Sequence, residues 1–204
     1  MSTFEKAKKA NIDLLIVHHG IKWKPQKYRK LARQRIAYLE KNNIALYACH
    51  LPLDSHSNYG NNIELARLLN LKEIKKFGAY HGAKIGYEGV YSKPLHISTV
   101  ANILNSSLNT KSDVYTFGKR SIKSVGIVSG GGSDAIEDAV KENLDLFVVG
   151  EMSLGAYNRA KDYKLSIIVA GHYATETVGV KALMPLIKEK FKTRTVFIDN
   201  PTGR

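Results

Sequence analysis

The chain has 204 residues, 44% of them hydrophobic and 24% charged, with one Cys and 31 Lys and Arg against 18 Asp and Glu, for a formal net charge of +13. That length buries about 70% of its unfolded surface in one large domain or two small ones, and this composition excludes a disordered or collagen-like chain. One Cys excludes a disulfide scaffold and a thiolate zinc knuckle. The longest apolar run near the start, Leu14-Leu15-Ile16-Val17, is far too short for a signal-peptide core or a membrane span, so a soluble cytoplasmic protein without a membrane partner is expected.

In chain order, residues 12–17 read as a buried strand that runs into His18-His19. Pro25 then opens a helix over about 26–42, with Tyr28, Leu31, Ala32, Arg35 and Leu39 on one face and Asn42-Asn43 closing it. Residues 44–49 form the next strand, with Cys49 read as core, and a polar segment over 50–62 leads to a helix around 63–69. The Gly- and aromatic-rich stretch 78–91 resembles a hairpin. Residues 97–108 read as a helix and 114–117 as a strand. Further on, 124–128 is a strand, Gly130-Gly131-Gly132 a turn, and Ser133 the expected N-cap of a helix to about Asn143. Strands over 146–149, 166–170 and 195–199 alternate with helices over 154–163 and 175–191, the latter interrupted by Pro185. This alternation predicts an α/β fold, a parallel or mixed sheet flanked by helices.

The positive charge is uneven. Residues 1–80 hold 15 basic against 6 acidic side chains, residues 81–145 hold 7 against 7, and residues 146–204 hold 9 against 5. The densest stretch, 22–41, carries eight basic residues and one acid, Glu40, interleaved with Trp23, Tyr28 and Tyr38. Cations neutralise phosphates and rings stack on bases, so this stretch fits a nucleotide or nucleic-acid surface; a solvated helix face is the plainer reading.

Three polar clusters each follow a predicted strand, where open α/β sheets place ligands. His18-His19 comes first, and adjacent imidazoles there suit metal ligation. His50 and Asp54 come second, able to join the first pair if their strands are neighbours; alternatively, Pro52 sets a turn that Asp54 caps. His172 and Glu176 come third, four residues apart and so on one face if the helix has begun; Glu176 favouring a helix N-terminus is the structural alternative. Of these, His18, His19, Asp54, His172 and Glu176 offer three imidazoles and two carboxylates, a set that holds paired divalent ions able to lower the pKa of a bound water. His56 reads as exposed, and His81 and His96 as hydrogen-bonded rather than metal-bound. The Gly130–Gly132 turn could cradle a phosphate but lacks the Lys of a P-loop.

The segments LLIVHHG (14–20), HLPLD (50–54), GGGSDA (130–135), Gly150-Glu151 and GHYATET (171–177) occur in an order and spacing that resembles the Nif-three-like family of GTP cyclohydrolase I type 2 homologues. The resemblance covers nearly the whole chain. It implies an α/β fold of two similar lobes, about 1–72 and 118–204 with 73–117 inserted, and the metal site between them. It also implies assembly as a toroidal homohexamer. The family's ligands to two divalent ions (zinc, iron, manganese or nickel) carry over to His18, His19, Asp54, His172 and Glu176, its additional active-site His to His50, and a site-lining Glu to Glu151. Family members usually begin with some forty further residues and have Pro where Gly20 stands here, so a shortened or trimmed homologue is expected.

Three functions follow. One is a metal-dependent hydrolase acting on a nucleotide or other phosphorylated small molecule, with His50 moving a proton. Another is a nucleic-acid-binding or regulatory hexameric scaffold with a structural metal site. Storage or delivery of the ions is a third use of the same ligands.

Overall fold

The computed structural model describes residues 1–22 and 29–203. The chain divides into two compact units, Met1–Pro52 with Met184–Asn200, and Leu53–Leu183.

In the first unit, α1 (Ser2–Lys9) leads to β1 (Leu14–Val17), and α2 (Arg29–Lys41) to β2 (Ala45–Ala48). The strands pair in parallel, Leu14 beside Ala45 through to Val17 beside Ala48. Phe4, Ala7, Leu15, Leu39 and Ile44 form its core. Both helices end on an asparagine in the left-handed region, Asn11 at φ 51 and Asn43 at φ 52; among non-glycine residues Asn adopts that conformation most readily.

The second unit is built on a six-stranded sheet. After α3 (Leu51–Ser55), which begins at the end of the first unit, come α4 (Asn61–Leu68), β3 (Lys72–Tyr80), β4 (Ala83–His96), α5 (Ile97–Leu108) and β5 (Asp113–Tyr115). They are followed by β6 (Ser121–Val128), a 3₁₀ turn (Ser133–Ala135), α6 (Ile136–Lys141), β7 (Leu146–Val149), α7 (Leu154–Asp162), β8 (Ser166–Val169) and α8 (His172–Phe191). The strand order is β3-β4-β6-β7-β8-β5. β6, β7 and β8 are parallel, and β3, β4 and β5 join antiparallel. β7 explains the layering: its four residues are all apolar and all buried. Leu146 and Val148 enter a core with Leu65 of α4 and Val100 and Leu104 of α5. Phe147 and Val149 enter a second core with Ile136 of α6 and Ala156 of α7. A strand covered on both faces needs a continuous apolar run. The fold is thus α/β, a mixed sheet flanked by helices.

Several elements differ from expectation. The start of the helix expected from residue 26, with Trp23 and Tyr28, lies outside the described residues. The polar segment after β2 contains α3, with Pro52 in its first turn, where a missing N–H costs nothing. Cys49 is half-buried beyond the end of β2, not core. Ser133 caps nothing: it lies inside the 3₁₀ turn, preceded by Gly132. α8 starts at His172, three residues early, and continues through Pro185; its buried residues all lie between Ala174 and Gly179, so the proline falls in a stretch that carries no core. The strand expected over 195–199 does not form. There the Asp199 carbonyl accepts from Lys6 Nζ (2.7 Å) and Ile198 packs on the first core, so side chains rather than a ladder hold the segment.

Candidate metal-ligand clusters

The first unit gathers three imidazoles. Because β1 and β2 are parallel neighbours, the residues that follow them, His18-His19 and His50, emerge at the same end. The three ring centroids lie 4.9 Å from one another, and each ring offers a nitrogen within 4.8 Å of the others. His18 is buried at 7% exposure, and its Nδ1 is 3.0 Å from the Cys49 carbonyl oxygen. A carbonyl can only accept, so Nδ1 carries the proton, which leaves Nε2 as the nitrogen that would face a metal, the arrangement a metal-ligating histidine adopts.

The second unit gathers two carboxylates and an imidazole. Asp54 (5% exposed) and Glu176 (8% exposed) are buried, with carboxylate oxygens within 4.8 Å of each other. Since α8 has begun, the i, i+4 pair faces one way: His172 Nε2 is 3.1 Å from Glu176 Oε1. Its other nitrogen, Nδ1, is 3.2 Å from Glu151 Oε2. The Glu176 carboxylate holds the His172 imidazolium above its ordinary range; burial opposes that shift and Glu151 adds to it. Gly130 makes room for this arrangement. It stands at φ 60, and a Cβ there would overlap the Glu176 carboxylate and lie 3.1 Å from His172 Nε2.

These donors fit divalent metal. Two buried carboxylates at this separation repel unless a cation or proton lies between them, and imidazole with carboxylate is a donor set for zinc, iron, manganese and nickel. His18, with its proton fixed on Nδ1, is oriented as a ligand.

His56 and His96 behave as the sequence reading has it. His56 is exposed and its Nδ1 accepts from the Asn58 and Tyr59 N–H groups. His96 caps α5 by accepting from Ser98 N, and His81 stacks edge-on against Tyr80. Tyr38, expected to meet bases, is half-buried and stacks on Phe4 with ring centroids 6.4 Å apart.

Sequence reasoning missed the polar residues behind Asp54. Asn61 Nδ2 donates to Asp54 Oδ1 at 2.8 Å, and Ser129 Oγ donates to the same oxygen at 3.0 Å. Asn62 Nδ2 donates to the Asp54 and Ile85 carbonyls, while its Oδ1 accepts from Ser129 N. Gly130 N donates to Thr175 Oγ1, which donates to the carbonyls of Gly171 and His172. The one available signal was the polar pair Asn61-Asn62 opening a helix ahead of the apolar Ile63, Leu65 and Ala66.

Residues 1–202 match the family described as Duf34/NIF3 (NGG1p interacting factor 3). A Pyrococcus horikoshii protein named "GTP cyclohydrolase 1 type 2 homolog" is 49% identical over 205 residues, which cover 100% of this chain and 82% of that protein. A Deinococcus radiodurans protein of the same name is 34% identical over 204 residues, covering 100% of this chain and 78% of its own length. Among solved structures, a Thermus thermophilus protein aligns with a TM-score of 0.86 at 36% identity, covering 99% of this chain and 80% of that one. A protein designated ybgI, described as of unknown function, aligns with a TM-score of 0.87 at 31% identity, covering 98% of this chain and 81% of that one.

Proposed function

Because the chain belongs to the Duf34/NIF3 family, we propose that it is a metal-binding protein that holds two divalent ions through His18, His19, Asp54, His172 and Glu176, and that it hydrolyses a nucleotide or other phosphorylated small molecule. The observation that carries this reading is the buried Asp54–Glu176 carboxylate pair with His172 Nε2 against the second carboxylate. Its relatives' names add GTP as one candidate substrate, and the family resemblance adds a homohexamer.

Bound ions of the zinc, iron, manganese or nickel kind would supply Lewis acidity and a water that ionises near neutral pH. The protein's own groups do the rest. Glu151 accepts the Nδ1 proton of His172 and so turns Nε2 toward a ligand. The Cys49 carbonyl does the same for His18. His50, with its ring against His18 and His19, takes or gives the proton that hydrolysis moves, at an imidazole nitrogen. The basic excess draws phosphates inward by long-range attraction.

Elemental analysis of the purified protein beside a nucleotide hydrolysis panel tests this reading. Two ions per chain are expected, with turnover that His50→Ala and Glu176→Gln abolish while light scattering still reports the hexamer. An inert panel at saturating divalent metal would sink the hydrolase reading. A second reading, nucleic-acid binding, draws on Arg29, Lys30 and Arg33, all exposed on α2. It requires affinity that falls steeply with salt and with Glu at these three positions; a flat salt response removes it.

A further inference from the structure

Asp54 is held by more than a carboxylate in a five-residue helix needs. Its Oδ1 accepts from Asn61 Nδ2 at 2.8 Å and from the Ser129 hydroxyl at 3.0 Å. A carboxylate oxygen has two lone-pair directions, so these donors saturate Oδ1. At its other end, Asn61 Oδ1 accepts from the Gly179 N–H of α8 at 2.8 Å, one turn beyond Glu176. That approach requires glycine, because a Cβ at 179 would lie 2.6 Å from Asn61 Oδ1. Asn61 and Asn62 are both 0% exposed. Burying whole carboxamides is costly unless each donor and acceptor is matched. Here Asn61 is matched to Asp54 and to the Gly179 N–H of α8, the helix that carries Glu176, and Asn62 to the Asp54 and Ile85 carbonyls and the Ser129 N–H. An apolar residue at 61 would fill the same space without that cost, so the demand comes from Asp54.

We infer that Asn61 and Ser129 are positioning residues for Asp54. They occupy Oδ1 and turn Oδ2 to the metal, and Asn61, anchored on α8, fixes the spacing between Asp54 and Glu176. This rests on the metal-binding reading above.

The test is cobalt(II) titration of the full-length protein, following affinity and visible absorption, with circular dichroism melts reporting folding. Asn61→Asp keeps the shape and the acceptor for Gly179 N–H but sets a carboxylate against Asp54. Ser129→Ala removes only a hydroxyl, and Ser129→Thr keeps it. Asn61→Asp and Ser129→Ala are expected to weaken one ion roughly ten- to a hundredfold and to alter its absorption bands, with Ser129→Thr close to wild type. If Asn61→Asp does not fold, the Ser129 pair decides. Wild-type affinity and spectrum in Ser129→Ala, beside loss of the ion in Asp54→Ala, would overturn the positioning role and leave the metal site standing. Wild-type protein that takes up no cobalt, zinc or manganese overturns both.

Discussion

Gly130 and Gly131 are neighbours in sequence, yet alanine should be costly at the first position and nearly neutral at the second. At Gly130, φ is 60, and a left-handed backbone costs an alanine about 1–2 kcal/mol. The new Cβ would also overlap the Glu176 carboxylate and approach His172 Nε2 to 3.1 Å, forcing a repacking worth about 1–3 kcal/mol. Gly130→Ala should therefore destabilise the second unit by about 2–5 kcal/mol. At a urea slope of about 2 kcal/mol per molar, its midpoint should fall by roughly 1–2.5 M. At Gly131, a Cβ would meet Glu151 Oε1 at 3.4 Å and His172 Cε1 at 4.0 Å, both ordinary contacts. Gly131→Ala should change stability by no more than about 0.5 kcal/mol. Urea unfolding followed by circular dichroism separates the two, and metal analysis adds a second readout, because displacing Glu176 should release metal in Gly130→Ala alone. Equal midpoints for the two variants would refute the reasoning.

Acid should weaken the β6–β7 junction. Burial alone would push the Asp145 carboxyl up. The Lys119 ammonium at 2.5 Å and the Lys123 and Ser124 N–H groups outweigh it and hold the carboxyl below its ordinary 3.8. A carboxylate depressed in the native state stabilises fully above its unfolded value and loses that contribution as pH falls through the native one. Thermal melts should therefore show wild type losing stability as the pH drops below 3.8, and Asp145→Asn losing less over the same interval; parallel curves would contradict this. Ser153 Oγ accepts from Ala156 N at 3.2 Å as the N-cap of α7, so Ser153→Ala should cost about 1 kcal/mol and Ser153→Asp close to nothing in chemical denaturation. Finally, divalent metal at a hundredfold over its Kd adds about 2.7 kcal/mol to the folded state. Chelation should then lower Tm by about 5–10 °C for a chain of this size, reversibly on adding metal back; a Tm indifferent to both treatments would argue against ligation.

The parts of the fold that could be read from the sequence are those with one local cause. Residues 146–149 are apolar without a break and rich in Val and Phe, as a strand buried on both faces needs, and β7 occupies those residues. Residues 97–108 carry a helical apolar spacing that ends at Asn109, and α5 has those bounds, with Asn109 in the left-handed region at φ 50. The β3–β4 hairpin was only partly legible because β4 contains Gly86, Gly89 and Pro94, residues that usually mark loops. Both glycines serve close strand packing: a Cβ at Gly89 would lie 2.8 Å from the Lys72 carbonyl oxygen, and one at Gly86 would overlap that of Ile127. The pairing register shifts between Val90 and Leu95, around the proline. The segment 195–199 has strand composition, but whether a strand forms depends on a free edge in register, which composition does not encode.

The two candidate clusters divide along a similar line. His18, His19 and His50 in one unit, and Asp54, His172 and Glu176 in the other, stand out as candidates because ligation demands a nitrogen or carboxylate oxygen, and few residue types offer one. The groups that orient them are a backbone carbonyl at Cys49, a carboxylate at Glu151, an amide at Asn61 and a hydroxyl at Ser129. Each role asks only for an acceptor or donor at the right place, and several side chains or the main chain can supply it. In sequence, Asn61 passes for a helix cap and Ser129 for a turn residue. Their function exists only once α4, the β6 end and α8 are folded around Asp54. Tyr38 shows the same limit: it lies between basic residues in sequence, but helical spacing turns it toward Phe4, away from the exposed face that carries Arg29, Lys30 and Arg33. Ligand chemistry restricts residue type and so leaves a trace in one sequence, whereas orientation restricts only position and leaves its trace in the fold.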